Sequence, residues 1–222
     1  MAAMTLPQLT AQKITDMILE ESYAAGDKLP TETELCARFE TGRNTVREAL
    51  KILASQNIIT IRQGAGSFVS DRKGVPDDPL GFNLISDRRQ LTEDLFQVLI
   101  ILEPSIAAMA AENATEDDIL RLEEASAALQ EAKDDLQEYI RLDARFHCIL
   151  AESTHNLVMN NLTPIIENGI KYYAGEFDRS DTGAHFHSTM LRLIREHRAV
   201  EAESEMRYHL LFDKHKYNKL HA

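Results

Sequence analysis

A chain of 222 residues carries 24 Lys and Arg against 36 Asp and Glu, a formal charge of −12, with 44% hydrophobic residues. That length supports two modest domains with separate cores, and the composition is ordinary for a soluble globular protein. No uninterrupted apolar run approaches the ~20 residues that span a bilayer, and Met1 to Leu9 lacks the basic and apolar regions of a secretory signal, so a cytoplasmic protein is expected.

The charge is unevenly spread. Residues 1–74 hold 9 basic and 9 acidic side chains, while residues 75–222 hold 15 and 27, so the whole excess of acid lies in the second part. Repulsion of a polyanion would act mainly there and leave the first part free to meet one. The two cysteines, Cys36 and Cys148, form no paired motif and read as reduced thiols.

Residues 9–22 place Ile14, Met17 and Ile18 at helical spacing. After the break at Ala24 to Asp27, Thr31 and Glu34 form a capping-box pattern that opens a short helix through Leu35 and Phe39. Glu40-Thr41-Gly42 is a turn, and Arg43 opens a further helix with Val46, Ala49, Leu50 and Leu53 on one stripe. The β-rich run Ile58 to Arg62, the glycine turn Gln63 to Gly66, and Ser67 to Ser70 predict a hairpin. Helix, turn, helix and hairpin in this order predict a winged helix-turn-helix.

Arg43, Asn44, Thr45 and Arg47 lie at the start of the second of these helices, off the apolar stripe. They read either as ordinary solvated residues or as groups for a major groove, where Arg pairs bidentately with guanine and Asn and Thr reach base edges. The hairpin favours the second reading.

Leu29 to Leu35, Arg43 to Leu50 and Gly64 to Val69 together resemble the DNA-binding domain of the GntR family. The resemblance implies recognition contacts from Arg43, Asn44, Thr45 and Arg47, and a wing-tip glycine, Gly64, that enters the minor groove. Two positions depart from the family pattern: Thr33 stands where an Arg is common, and Gly42 replaces the usual Ser or Thr cap.

Asp71 to Pro79, rich in charge, Gly and Pro, marks the boundary, with residues 75–79 as linker between a domain at 1–74 and another at 80–222. Beyond it the pattern is helical throughout: a short helix at 80–86, then helices at 91–112, 115–133, 134–153, 157–173, 183–196 and 199–219. An antiparallel all-α bundle is the expected architecture, and the chain as a whole is mainly α.

Asp143 and His147 stand four residues apart, on one helix face beside the core-type Leu142, Phe146 and Leu150. His187 and His209 sit among apolar positions of two later helices. Each piece alone is ordinarily an ion pair or a satisfied core histidine. One helix giving two ligands and two others giving one each is the distribution of bundle metal sites, and a shared divalent ion would satisfy all four groups. Zinc, nickel, manganese or iron all suit this ligand set. His155, His185, His197, His215 and His221 read as surface residues.

Glu103-Pro104, the run Leu142 to His147, Asn156, His187 and His209 resemble the FadR-type ligand-binding (FCD) domain of GntR regulators, in its metal-containing branch. The resemblance implies metal ligands Asp143, His147, His187 and His209, and a central cavity where a carboxylate or sugar-acid effector coordinates. Leu99 stands where relatives carry a cavity-facing Arg, so either the effector is less acidic or more apolar, or Arg145, Lys171 or Arg192 supplies the charge; these three and Asn156 are the expected effector contacts. The implied function is a homodimeric repressor on a palindromic operator. Two other readings are a metallo-enzyme fused to a DNA-binding module, for which no general base or nucleophile stands out, and a plain dimerisation scaffold with structural histidines.

Overall fold

A computed structural model describes residues 3–71, 74–76, 78, 80–174 and 182–221. The chain divides into two compact units, Met1–Leu80 and Gly81–Ala222.

In the first unit α1 (Leu6–Glu20), α2 (Glu32–Phe39) and α3 (Arg43–Ser55) precede an antiparallel pair, β1 (Ile59–Arg62) and β2 (Gly66–Val69), in which Arg62 faces Gly66. Helix α1 starts three residues before the expected position, because Thr5 and Gln8 form a capping box on either side of Pro7, in the first turn. The predicted box at Thr31 and Glu34 is formed: the Glu34 carboxylate accepts from the Thr31 N–H at 2.7 Å. Glu40 closes α2 with a φ of 50°, in the left-handed region, which turns the chain sharply into α3. Ile14, Leu35, Val46, Ala49 and Leu53, all buried, join Ile59 and Val69 in one core. Burying such side chains is the main source of the unit's stability. The segment before α2 also joins the hairpin: Leu29 N–H donates to Ser67 C=O at 2.9 Å, which docks the wing against the start of α2.

The second unit is helical. The expected helix at 80–86 is only a 3₁₀ turn (Phe82–Leu84) after Gly81, whose φ is 70°. Then follow α4 (Arg88–Asn113), α5 (Glu116–Glu131), α6 (Leu136–Glu152), α7 (Leu157–Asn161), α8 (Thr163–Ala174), α9 (Thr182–Arg195) and α10 (Ala199–Leu220). The single helix expected over 157–173 is two, split at Leu162. Pro164 has no N–H with which to continue α7's ladder. By length and composition α4 is long and apolar enough to cross a membrane, and half of its apolar stretch is buried inside the unit. Phe96, Leu99, Ile106, Leu122, Phe146, Leu150, Ile166 and Met206 are fully buried in the common core of this unit.

Leu99 packs directly on the backbone of α8. A Cβ added at Gly169 would stand 2.7 Å from Leu99 Cδ1, and Leu99 has no exposed surface into which to move. Gly169→Ala is expected to cost about 1–3 kcal/mol through overpacking. Thermal melting followed by circular dichroism checks this, and an unchanged midpoint would contradict so close an approach of α4 and α8.

Candidate metal centre and operator-reading face

In the first unit Arg43, Asn44 and Arg47 are exposed and Thr45 is half-buried, all on the first two turns of α3. The apolar stripe of Val46, Ala49, Leu50 and Leu53 is turned into the core, so helical periodicity directs the polar residues outward. Gly42 is the N-cap and supplies no side-chain hydrogen bond, which leaves the first N–H groups of α3 for solvent or an anion. Gly64 lies exposed at the wing tip with φ of 74°, a conformation that glycine adopts without strain. Between α3 and the wing runs a cleft of about 520 Å³, lined among others by Lys28, Arg47, Lys51, Arg62 and Gly64. Four cations along one cleft make a basic surface on a chain of net negative charge.

In the second unit α6 carries Asp143 and His147 inward on successive turns, while α9 supplies His187 and α10 supplies His209. Asp143, His147 and His187 are buried, and each offers a ligand atom within 4.8 Å of the other two. His187 Nε2–H donates to Asp143 Oδ1 at 2.8 Å. His147 Nδ1–H donates to Glu103, a buried carboxylate of α4. The ring of His209 is stacked on Phe186 at 3.7 Å and lies 5.8 Å from that of His147. Phe146 meets His187 edge-on at 4.7 Å. Aromatic packing therefore fixes the imidazole planes before any ligand arrives.

After these bonds are made, His147 Nε2, His187 Nδ1, His209 Nε2 and Glu103 Oε1 remain buried with no hydrogen-bond partner among the described residues. Buried polar atoms are nearly always paired, so such a group of nitrogens around carboxylates calls for a shared partner. The titrations are spread apart. Burial opposes the charge of Asp143, yet the hydrogen bond from His187 and the nearby imidazoles hold it down at about 2. Burial likewise opposes protonation of His147, but the Glu103 carboxylate outweighs it and raises the imidazole to about 9. Burial and repulsion from His147 lower His209 to about 3. Asp213, one turn beyond His209 on α10 with its Oδ2 3.5 Å from His209 Nε2, is pushed up to about 7 by burial and by the charge of Asp143. The chemistry of this donor set, imidazole with carboxylate, fits a divalent transition metal.

Sequence reasoning missed Asp213. Its signal was present, for His209 and Asp213 repeat the four-residue spacing of Asp143 and His147. Glu103 entered only through a resemblance, and its bond to His147 is a finding of the structure.

The residues expected to meet an effector are not brought to this cluster. Arg145 lies two residues from both Asp143 and His147, on the other side of α6, and pairs with Glu152 at 2.7 Å. Lys171 pairs with Glu167 at 2.6 Å and Arg192 with Glu196 at 3.1 Å, all as solvent-facing one-turn pairs. Asn156 caps α7, its Oδ1 accepting from the Val158 N–H at 3.0 Å. His155 is exposed, as a surface residue is expected to be, and donates from Nε2 to the buried Asp118 at 2.8 Å. His197 Nδ1 is bound to the Ala111 carbonyl at 2.8 Å. Burial pushes the Cys148 thiol up to about 12, so it stays protonated beside the cluster and is no ligand in that form.

Residues 8–69 match the family described as bacterial regulatory proteins, gntR family, and residues 94–212 match the FCD domain. Among curated proteins, the galactonate operon transcriptional repressor of Escherichia coli K12 is 30% identical over 82% of this chain and 80% of its own length. The Uxu operon transcriptional regulator of the same organism is 33% identical over 67% of this chain and 58% of its own. Among solved structures, a Streptococcus agalactiae GntR protein shares 36% identity with a TM-score of 0.80, covering 92% of this chain and 97% of its own. These curated relatives are named as regulators of transcription and not as enzymes.

Proposed function

Because the chain belongs to the gntR family of bacterial regulatory proteins and carries an FCD domain, we propose that it is a cytoplasmic, DNA-binding repressor whose grip on its operator is controlled by a small carboxylate at a metal centre. Residues 1–74 read the operator through Arg43, Asn44, Thr45 and Arg47, with Gly64 at the minor groove. Residues 80–222, beyond a linker at 75–79, hold the effector and join two chains into a homodimer that matches a palindromic site.

One observation carries the metal reading: Asp143, His147 and His187 each bring a ligand atom within 4.8 Å of the other two, and the His209 ring stands 5.8 Å from that of His147, with Nε2 of both rings buried and unpartnered among the described residues. Asp143, His147 through Nε2, His187 and His209 would hold zinc, nickel, manganese or iron. Bound there, the ion supplies a Lewis-acid site for a carboxylate or hydroxyl oxygen. Glu103 fixes the His147 ring through Nδ1, which leaves Nε2 for the ion. The name of the galactonate operon repressor supports a sugar acid as the effector class. Such a ligand controls DNA binding only by favouring one arrangement of the dimer over another.

A thermal-shift screen of sugar acids and 2-hydroxy acids, with and without added divalent metal, tests this reading. The effector is expected to raise the melting temperature of metal-loaded protein only, as preferential binding to the folded state requires, and to change operator affinity at the same concentrations. An acid that acts equally on chelator-treated protein contradicts control through the metal. Arg47→Ala is expected to weaken operator binding by about 1–3 kcal/mol, the worth of a bidentate base contact, while the melting temperature holds. Equal affinities in an anisotropy titration would remove Arg47 from the reading face.

A further inference from the structure

The second helix of the first unit contains an acid that its own capping does not use. Thr31 and Glu34 complete the capping box of α2, and their groups bond to each other. Glu32, between them, instead reaches fifteen residues along the chain, and its Oε2 accepts from Arg47 Nε at 2.8 Å. Both side chains are exposed, 39% for Glu32 and 59% for Arg47, so burial does not force the contact. Glu32 also lines the cleft between α3 and the wing, where Lys28, Arg47, Lys51 and Arg62 are the other charged residues.

The geometry of a guanidinium gives this contact a meaning. Nε donates from the side of the fork, whereas Nη1 and Nη2 together form the end that matches guanine O6 and N7. A partner on Nε alone fixes the plane of the group and leaves that end free. Glu32 also has a cost: an acid on a face that meets phosphates opposes every duplex alike, whatever its sequence.

We propose that Glu32 is a positioning residue for operator reading, holding Arg47 by Nε so that its two terminal nitrogens face a guanine while its charge weakens attachment to DNA of the wrong sequence. This rests on the reading of α3 as the helix that enters the groove. Glu32 thus raises discrimination through two effects that are opposite in sign only on affinity. It strengthens the operator complex by pre-orienting Arg47, and it weakens non-specific complexes by partly neutralising the same cation.

The test uses the full-length protein and two duplexes: one recovered with the wild type by selection from a random library, and a scrambled duplex of the same composition. Affinities are measured for wild type, Glu32→Gln, Arg47→Ala and the double variant, alongside melting temperatures. Glu32→Gln is expected to bind the scrambled duplex more tightly and the selected duplex about tenfold more weakly, within the range of one bidentate contact. In the Arg47→Ala background the same change is expected to leave discrimination unaltered. Equal tightening on both duplexes would make Glu32 a mere charge, and equal weakening with a lower melting temperature would make it a structural residue; either overturns the proposal. Should Arg47→Ala alone leave the selected duplex bound as before, the reading of α3 itself fails, an outcome separate from the other two.

Discussion

Phe146→Ala is expected to destabilise the second unit by about 3–5 kcal/mol, the usual cost of emptying a core aromatic site. The ring has no exposed surface and stands edge-on to His187 at 4.7 Å, directly before His147 in the chain. The void would lie beside imidazoles held by their bonds to Asp143 and Glu103, so the neighbourhood cannot collapse onto it without moving them. Urea titration followed by the helical signal gives the loss. Metal retention on gel filtration is expected to fall with it, because the His187 plane is held by that edge contact. A loss below about 1 kcal/mol would mean that the cluster closes over the gap and that Phe146 is not its support.

Glu103→Gln is expected to weaken divalent-metal affinity by about 10–100-fold, as the loss of an outer-shell partner of a metal histidine does. Glu103 is buried on α4 and accepts from His147 Nδ1–H, which directs His147 Nε2 toward the cluster. The carboxylate is also the charge that most favours a protonated His147. A carboxamide keeps the volume and one acceptor oxygen, so the fold is expected to persist, while the ring loses both its fixed orientation and the electron donation of an anion. Competition against a chromophoric chelator measures the change. Affinity within twofold of wild type would show that the carboxylate does not orient the ring.

Much of this was legible where local chemistry decides the outcome. The capping box at Thr31, the stripe of α3, and the glycine-tipped wing all follow from residues a few positions apart, and the structure has each of them. The start of α1 was misplaced although Thr5 and Gln8 carry the same capping pattern, because the apolar periodicity begins only later. The split between α7 and α8 was missed because Leu157 to Tyr173 keeps a helical rhythm on both sides of Pro164.

The cluster divides along the same line. The spacing of Asp143 and His147 announces a shared face, but which nitrogens are left without partners depends on Glu103 and His187, each 44 residues away from the group it binds. The Glu32 to Arg47 pair is hidden for the same reason, since it bridges two helices. Arg145 is expected at the effector only as a replacement for the cation missing at Leu99, and two residues from Asp143 and from His147 along the helix turn it to the far side.

The most direct measurement is the metal content of protein purified without chelator, by elemental analysis, for the wild type and for His187→Ala. One divalent transition-metal ion per chain in the wild type, and a large loss in the variant with the helical signal preserved, is the result expected from imidazole nitrogens buried around a carboxylate. Metal-free wild-type protein that stays metal-free after dialysis against each candidate ion would contradict it, and would leave those nitrogens as an unpaired feature of the core.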